Sequence, residues 1–365
     1  MGKSMTPRER LHNTLDGKTV DRFFRYELGA WPTTIKRWKS EGLPSDFDFN
    51  QHFCFDPFFR LPFNTGYTDS PIYPRFDKEI VEKGEDWEII RDVDGIVKKV
   101  LSTDSDLSMP QFIQFPVVSR TDWLTFRERL NPENAPKLLG DIMPIARMLS
   151  VSDDIPVLMP ICGAFGHPRN LMGDINLCYT LYDDPDLLHE ILDNWLILYK
   201  RIIQLITEHI KVDCMLIWED MCYKNGPLIG PNHFRTFILP RYVELIKYAK
   251  EHGIKYVWVD TDGDLLKLIP MFVEAGVSAL LPFEVQSGMD IVKIRKQFGT
   301  CFTIIGGIDK RALAGTKEDI KIEVDRVLPF FINSRNYIPC LDHTVPVNVS
   351  LENFKYYLDC IRRYE

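Results

Sequence analysis

Three carboxylates crowd into five positions at Asp260-Thr261-Asp262-Gly263-Asp264. If the chain stays extended there, Asp260 and Asp262 project to the same side. Two carboxylates so placed can hold a metal or share a proton for acid–base work. The glycine stands fourth in the run rather than sixth, so this is not an EF-hand loop. The competing reading is structural: Asp264 or Asp262 caps a helix that starts near Leu265. Asp342-His343 ends another apolar run, where the imidazole could ligate a metal or transfer a proton. Asp342 would set its tautomer only if the loop turns back. Glu219-Asp220 is followed by Tyr223 and Lys224, which could touch an acidic substrate group; a hydrated loop is the alternative. Glu284 follows Leu281-Pro282-Phe283, where an unpaired carboxylate is costly to bury. Asp309-Lys310-Arg311 follows two glycines that would let a ligand approach the backbone, or simply make a tight turn with Asp309 salt-bridged to a neighbour. His167 and Arg169 follow Gly163-Ala164-Phe165-Gly166, and Arg169 is a candidate carboxylate clamp or a surface ion pair.

These groups share a position in the pattern. From residue 120 onward, short apolar runs alternate with amphipathic stretches. The runs fall at 155–163, 213–220, 255–263, 278–284, 302–309 and 337–343. Helices are predicted between them, near 185–208, 232–251, 264–275, 288–297 and 316–333. Such alternation predicts a parallel sheet wrapped by helices. Nearly every run ends in a polar or glycine-containing tail, and in a (β/α)8 barrel those tails meet at one mouth. The expected fold is α/β: a single, distorted TIM-type barrel over 1–365, with a cover, first strand and hairpin over 1–115 and the main repeats over 116–365. A doubly wound open sheet is the alternative. Residues 6–15 predict a short helix with a Thr6/Glu9 capping box and Pro7 at its first position. FFRYELG (23–29) reads as a strand, and a helix is expected over 33–40. Two strand-like runs around Asp94-Gly95 predict a hairpin insertion over 85–103.

A formal net charge of −8 argues against nucleic-acid and anionic-membrane partners, which select concentrated Lys and Arg. No run approaches the roughly 18 apolar residues of a membrane span, and no secretory leader is evident. Eight cysteines without a C-x-x-C pair fit a cytoplasmic protein free of disulfides. No dinucleotide fingerprint, nucleophile elbow, phosphate loop or H-E-x-x-H helix is present.

The stretches TPRERLHNTLDGKTVDR, EDMCYKNGPLIGPNHFRTFILPRYVELI, VDTDGDLLKLIPMFVEAGVSALLPFE, FTIIGGIDKRAL and YIPCLDHTVPVNVSLENFKYY resemble, in order, the uroporphyrinogen decarboxylase superfamily. That superfamily includes both the decarboxylases and the zinc-dependent, corrinoid-linked methyltransferases. The resemblance implies a distorted (β/α)8 barrel, and two activities that use different residues. The decarboxylases carry R-Q-A-G-R-Y on the first strand, and its arginines hold the substrate carboxylates. Here the stretch reads Tyr26-Glu27-Leu28-Gly29-Ala30-Trp31, which lacks both arginines and puts Glu27 where it would repel a polycarboxylate. Their closing G-H-G is matched by Asp342-His343-Thr344, and Asp56 is the nearest candidate for their aspartate near the first barrel loop. The methyltransferases carry H-x-C-G and a last-strand cysteine as zinc ligands. Those positions match Asp260, Asp262 and His343, a harder ligand set that favours a less thiophilic metal, or zinc in another role. Cys340 faces opposite to His343 on an extended strand and is a weak substitute.

The resemblance therefore implies a metal-dependent methyltransferase or O-demethylase component that passes a methyl group to or from a separate corrinoid protein. Asp260, Asp262 and His343 would hold zinc or another divalent ion, while Glu284 or Tyr223 manages the proton. Asp220 is a further catalytic candidate, and His167, Arg169, Lys224 and Asp309 are candidates for binding substrate. The alternatives are cofactor-free decarboxylation using Asp260 or Asp56, and a non-catalytic binding barrel. Family analogy adds a homodimer.

Overall fold

The computed structural model describes residues 4–101, 110–332 and 334–365. Its strands are β1 (Phe59–Arg60), β2 (Glu79–Lys83), β3 (Trp87–Arg91), β4 (Val97–Leu101), β5 (Gln111–Gln114), β6 (Val157–Cys162), β7 (Cys214–Trp218), β8 (Cys222–Tyr223), β9 (Gly226–Pro227), β10 (Tyr256–Asp260), β11 (Ala279–Leu281), β12 (Thr303–Ile305) and β13 (Tyr337–Ile338). Seven of them form one parallel sheet in the order β1-β6-β7-β10-β11-β12-β13. That order runs with the sequence and never reverses, which rules out a doubly wound sheet and leaves the curled sheet of a barrel. All six apolar runs of the C-terminal two-thirds supply these strands.

Side-chain alternation splits the core in two. Leu158, Cys214, Leu216, Tyr256, Trp258, Ala279, Leu281, Ile305, Ile338 and Cys340 point into the barrel and pack on one another. Their neighbours Met159, Ile161, Met215, Ile217, Val257, Val259, Leu280 and Ile304 point outward into the shell beneath the helices. Strands buried on both faces carry no polar alternation, which is why they read as continuous apolar runs.

The stretch 23–29 departs from expectation. It is extended but forms no ladder. It contributes an isolated parallel bridge, Ala30 to Val345, and Val345 N–H donates to the Gly29 carbonyl at 2.9 Å. On its other flank Asp56 N–H donates to the Arg25 carbonyl at 2.9 Å. The segment thus closes the gap between β13 and β1 with few bonds, which is where the barrel is distorted. The helix expected from 264 begins at Ile269, because Asp264 first turns the chain by accepting from Leu266 N–H at 3.0 Å.

The hairpin around Asp94-Gly95 is present as β3 and β4, and belongs to a four-stranded antiparallel sheet, β2-β3-β4-β5. The predicted span's last two residues lie outside the described residues. Helix Pro7–Leu15 has the expected capping box. All eight cysteines are unpaired, and among the described residues no helix is long and apolar enough to cross a membrane.

Candidate active site

Asp260 is the last residue of β10 and continues the inward row Tyr256, Trp258. Its Oδ2 accepts a hydrogen bond from the Tyr67 hydroxyl. Withdrawal from water pushes the Asp260 carboxyl up to about 7, with the charges of Asp262 and Asp220 adding to the rise and Tyr67 and His343 opposing it. Near neutrality this group is poised to give or take a proton.

Asp262 caps no helix. Its Oδ2 lies 3.2 Å from Nε2 of His343. Burial pulls the imidazole's pKa down, but the hydrogen bond and charge of Asp262 outweigh it, and the pKa lies above the ordinary histidine value. The other face of His343 meets the Trp31 indole, with ring centres 6.1 Å apart and planes at 22°. Asp342 does not turn back to His343. It is buried and accepts from Val285 N–H and Lys310 N–H, each at 2.9 Å, which fixes the loops after β11 and β12.

Around this centre stand two ion pairs. Glu284 accepts from Gly263 N–H at 3.1 Å and from Lys310 Nζ at 3.4 Å. Asp220 pairs with Arg169 at 2.9 Å, and burial raises its pKa against the pull of that arginine. Asp220 sits at φ 45°, a strained value for a non-glycine residue, and Arg169 braces it by also donating to its carbonyl at 2.7 Å. Arg169, Asp220, Tyr223, Lys224, Asp262 and Glu284 line a cavity of about 750 Å³, roofed by Phe112 and Phe115 at the end of the antiparallel sheet. Tyr223 and Lys224 stand exposed at its rim.

Three candidates lie elsewhere. Asp56 is buried before β1, at the opposite end of the barrel, and is held by Arg10 at 2.6 Å, Arg22 at 2.6 Å and Arg25 N–H at 2.9 Å. Every lone pair it could offer a substrate is taken, so it is a structural ion-pair centre rather than a catalytic group. His167 is fully buried in the first turn of helix Gly166–Asp183, and burial lowers its pKa to about 3. Neither ring nitrogen has a partner, and it does not reach the cavity. Asp309 pairs with Arg311 at 2.7 Å rather than with Lys310, and does not line the cavity.

One further residue behaves otherwise than the sequence suggests. Glu27 faces no substrate space. It accepts from Leu341 N–H at 3.2 Å and the Tyr357 hydroxyl at 2.7 Å, and burial pushes its carboxyl up to about 8, so it is largely uncharged at neutrality. Cys340 points into the barrel, where burial and nearby acids hold its thiol protonated. Glu219, beside Asp220, is wholly structural. Its carboxyl accepts from the N–H groups of Ala164, Phe165 and Gly166 at 2.7–2.9 Å, satisfying free amides at the start of helix Gly166–Asp183.

Nothing in the sequence singles out Tyr67, and Trp31 enters only as the end of the stretch matched to the decarboxylase motif. Both come from the aromatic, aperiodic N-terminal region, where a lone ring carries no signal of its place.

The three positions expected to hold a divalent ion do gather at the mouth, but not as a ligand set. Asp262 and His343 bond to each other, Asp260 is turned to Tyr67, and among the described residues no three His, Cys, Asp or Glu side chains converge as a metal site. The side chains as they stand do not fit the ion.

Comparison with known proteins agrees with this architecture. No curated protein sequence matches the chain. A methyltransferase from Methanosarcina mazei superposes with a TM-score of 0.61 at 16% identity, covering 99% of both chains, which shows a shared fold. A B12-independent methionine synthase from Shewanella is far less similar, with a TM-score of 0.36 at 12% identity over 62% of this chain and 67% of that one. The family model described as uroporphyrinogen decarboxylase (URO-D) matches residues 105–364. The chain belongs to the uroporphyrinogen decarboxylase family.

Proposed function

We propose that this chain is an acid–base enzyme that decarboxylates a small or medium-sized organic acid, with Asp260 as the proton donor. The observation that carries the reading is the Asp260 carboxyl itself. It ends an inward strand row, is held by the Tyr67 hydroxyl, and has a pKa raised to about 7. In the reaction the bond from carbon to the carboxylate breaks and carbon dioxide leaves. The electron pair stays on carbon, and Asp260 delivers its proton there. The resulting carboxylate regains a proton from solvent, with His343 beside Asp262 stabilising the charge meanwhile.

Uroporphyrinogen itself is disfavoured as substrate. Neither arginine of the decarboxylase clamp is present, and the cavity carries Asp174, Asp220, Asp262 and Glu284 against Arg169 and Lys224.

The test is carbon dioxide release from a panel of aromatic and pyrrolic acids in D2O. One deuterium should appear at the vacated carbon, and Asp260→Asn should abolish it. Absence of release across the panel, with turnover only when metal and a methyl-corrinoid protein are supplied, would overturn this reading.

A second reading, metal-dependent methyl transfer to or from a corrinoid protein with Asp262 and His343 among the ligands, rests on the fold shared with the Methanosarcina mazei methyltransferase. It requires Asp260 to leave Tyr67 and join them. Metal content of protein purified without chelators, compared with Asp262→Ala and His343→Ala, decides it.

A further inference from the structure

Arg60 ends the first strand of the barrel sheet. On and around β1, Phe59 and Leu61 pack outward into the shell under the helices, while Phe58 packs inward on Tyr26 with ring centres 5.6 Å apart. Arg60 shares the parity of Phe58 and so belongs to the inner side. Its guanidinium lies over the Tyr67 ring, 4.1 Å from the centre. The neighbouring arginines are committed elsewhere: Arg22 to Asp56, Arg25 to Glu365, Arg75 to Asp69 and Arg169 to Asp220. Among the described residues, none of the ion pairs includes Arg60, and the side chain is exposed.

The space it faces is a cavity of about 430 Å³, lined among others by Asn64, Tyr67, Arg75, Pro160 and Asp69, the last paired with Arg75 at 3.0 Å. Arg75 donates to Asn64 Oδ1 at 2.6 Å, which fixes that amide and leaves its NH2 group free to donate. Tyr67 forms the wall between this space and the reaction centre, because its hydroxyl reaches Asp260. The larger cavity beyond has an excess of acids, so a substrate anion is repelled there and drawn toward Arg60.

We infer that the cavity beside Arg60 anchors a carboxylate of the substrate, clamped by the guanidinium and the Asn64 amide. A planar guanidinium fork with one amide matches a planar carboxylate. The anchored group is not the one that leaves. A guanidinium on the reacting carboxylate would stabilise the ground state against its loss. The substrate class is therefore an acid with a second carboxylate besides the one that leaves. That last step rests on the acid–base reading; carboxylate binding at Arg60 does not.

The test is calorimetric titration of the full chain with benzoate, its neutral counterpart benzamide, and inorganic phosphate. Benzoate should saturate one site, with benzamide and phosphate about tenfold weaker or worse. Arg60→Gln should lose about tenfold or more in benzoate affinity, Arg60→Lys should recover part of it, and Asp260→Asn should bind as wild type. Equal binding of benzoate and benzamide, equal or tighter phosphate binding, absence of benzoate binding, or unchanged affinity in Arg60→Gln would overturn the inference. If Arg60→Gln loses benzoate while Asp260→Asn keeps its turnover, the acid–base reading alone fails. If Asp260→Asn loses turnover while Arg60→Gln keeps benzoate, the carboxylate anchor alone fails.

Discussion

The two ends of the barrel carry similar residue types in opposite states. At the N-terminal ends of the strands, Asp213 accepts from Arg8 and His12, Asp56 from Arg10 and Arg22, and Asp16 from Lys18 and Lys255. Those partners outweigh burial and hold Asp16 down at about 2 and Asp213 below the ordinary carboxylate value. At the C-terminal ends, burial and like charges raise Asp260, Asp220 and Asp342 instead, and Asp260 has a tyrosine rather than a cation. The same side chain is thus a clamp below and a proton reservoir above, according to what the neighbouring loops supply. Acids paired to saturation stabilise; acids left short of positive charge are available for chemistry.

The largest expected effect separates the two ends. Asp260→Asn should lower turnover by about 10²- to 10⁴-fold with the fold retained, measured by kcat and circular dichroism. Asp56→Ala should do the reverse, costing about 3–5 kcal/mol of stability by urea unfolding, since Arg10 and Arg22 lose their shared partner, while kcat of the folded protein stays near wild type. An Asp56 variant that folds normally but is inactive would break the comparison.

The next effect is smaller. Tyr67→Phe should lower kcat by about tenfold and move the pH profile upward, because the Tyr67 hydroxyl now lowers the Asp260 pKa. The smallest concerns stability and pH. The folded-state pKa of Asp260 is raised, so its contribution to stability is complete below the ordinary aspartate value and is lost as pH rises through about 7. Asp260→Asn should therefore gain about 1–2 kcal/mol on wild type between pH 5 and pH 8, after solvent screening at the mouth is allowed for. The corresponding comparison for Asp16 runs the other way: its lowered pKa gives stability that is lost only as pH falls toward about 2.

What was legible in the sequence follows from the same physics. Strands buried on both faces must be apolar throughout, so β6, β7, β10, β11, β12 and β13 stand out, and the polar residues after them fall at the mouth. Asp260, Asp262, Asp220, Glu284 and His343 are placed at that mouth by this pattern. The stretch 23–29 was misread because its composition suits a strand while its bonds are a bridge and a few carbonyl contacts. Asp56 was misplaced because motif similarity does not show that three donors would converge on it from Arg10, Arg22 and Arg25. Tyr67 left no trace because its role depends on a contact across 193 residues. The salt bridge that Asp309 was expected to make with a neighbour forms with Arg311, while the turn aims Lys310 at Glu284 and Asp342.

The most direct test is the titration of Asp260 itself, followed by infrared difference spectroscopy of the carboxyl stretch in wild type minus Asp260→Asn. A carboxyl band that disappears with a midpoint near pH 7, and shifts upward in Tyr67→Phe, is the predicted result. A midpoint near the ordinary aspartate value of about 3.9 would show a group as ionised as those at the barrel's other end, and would contradict its role as proton donor.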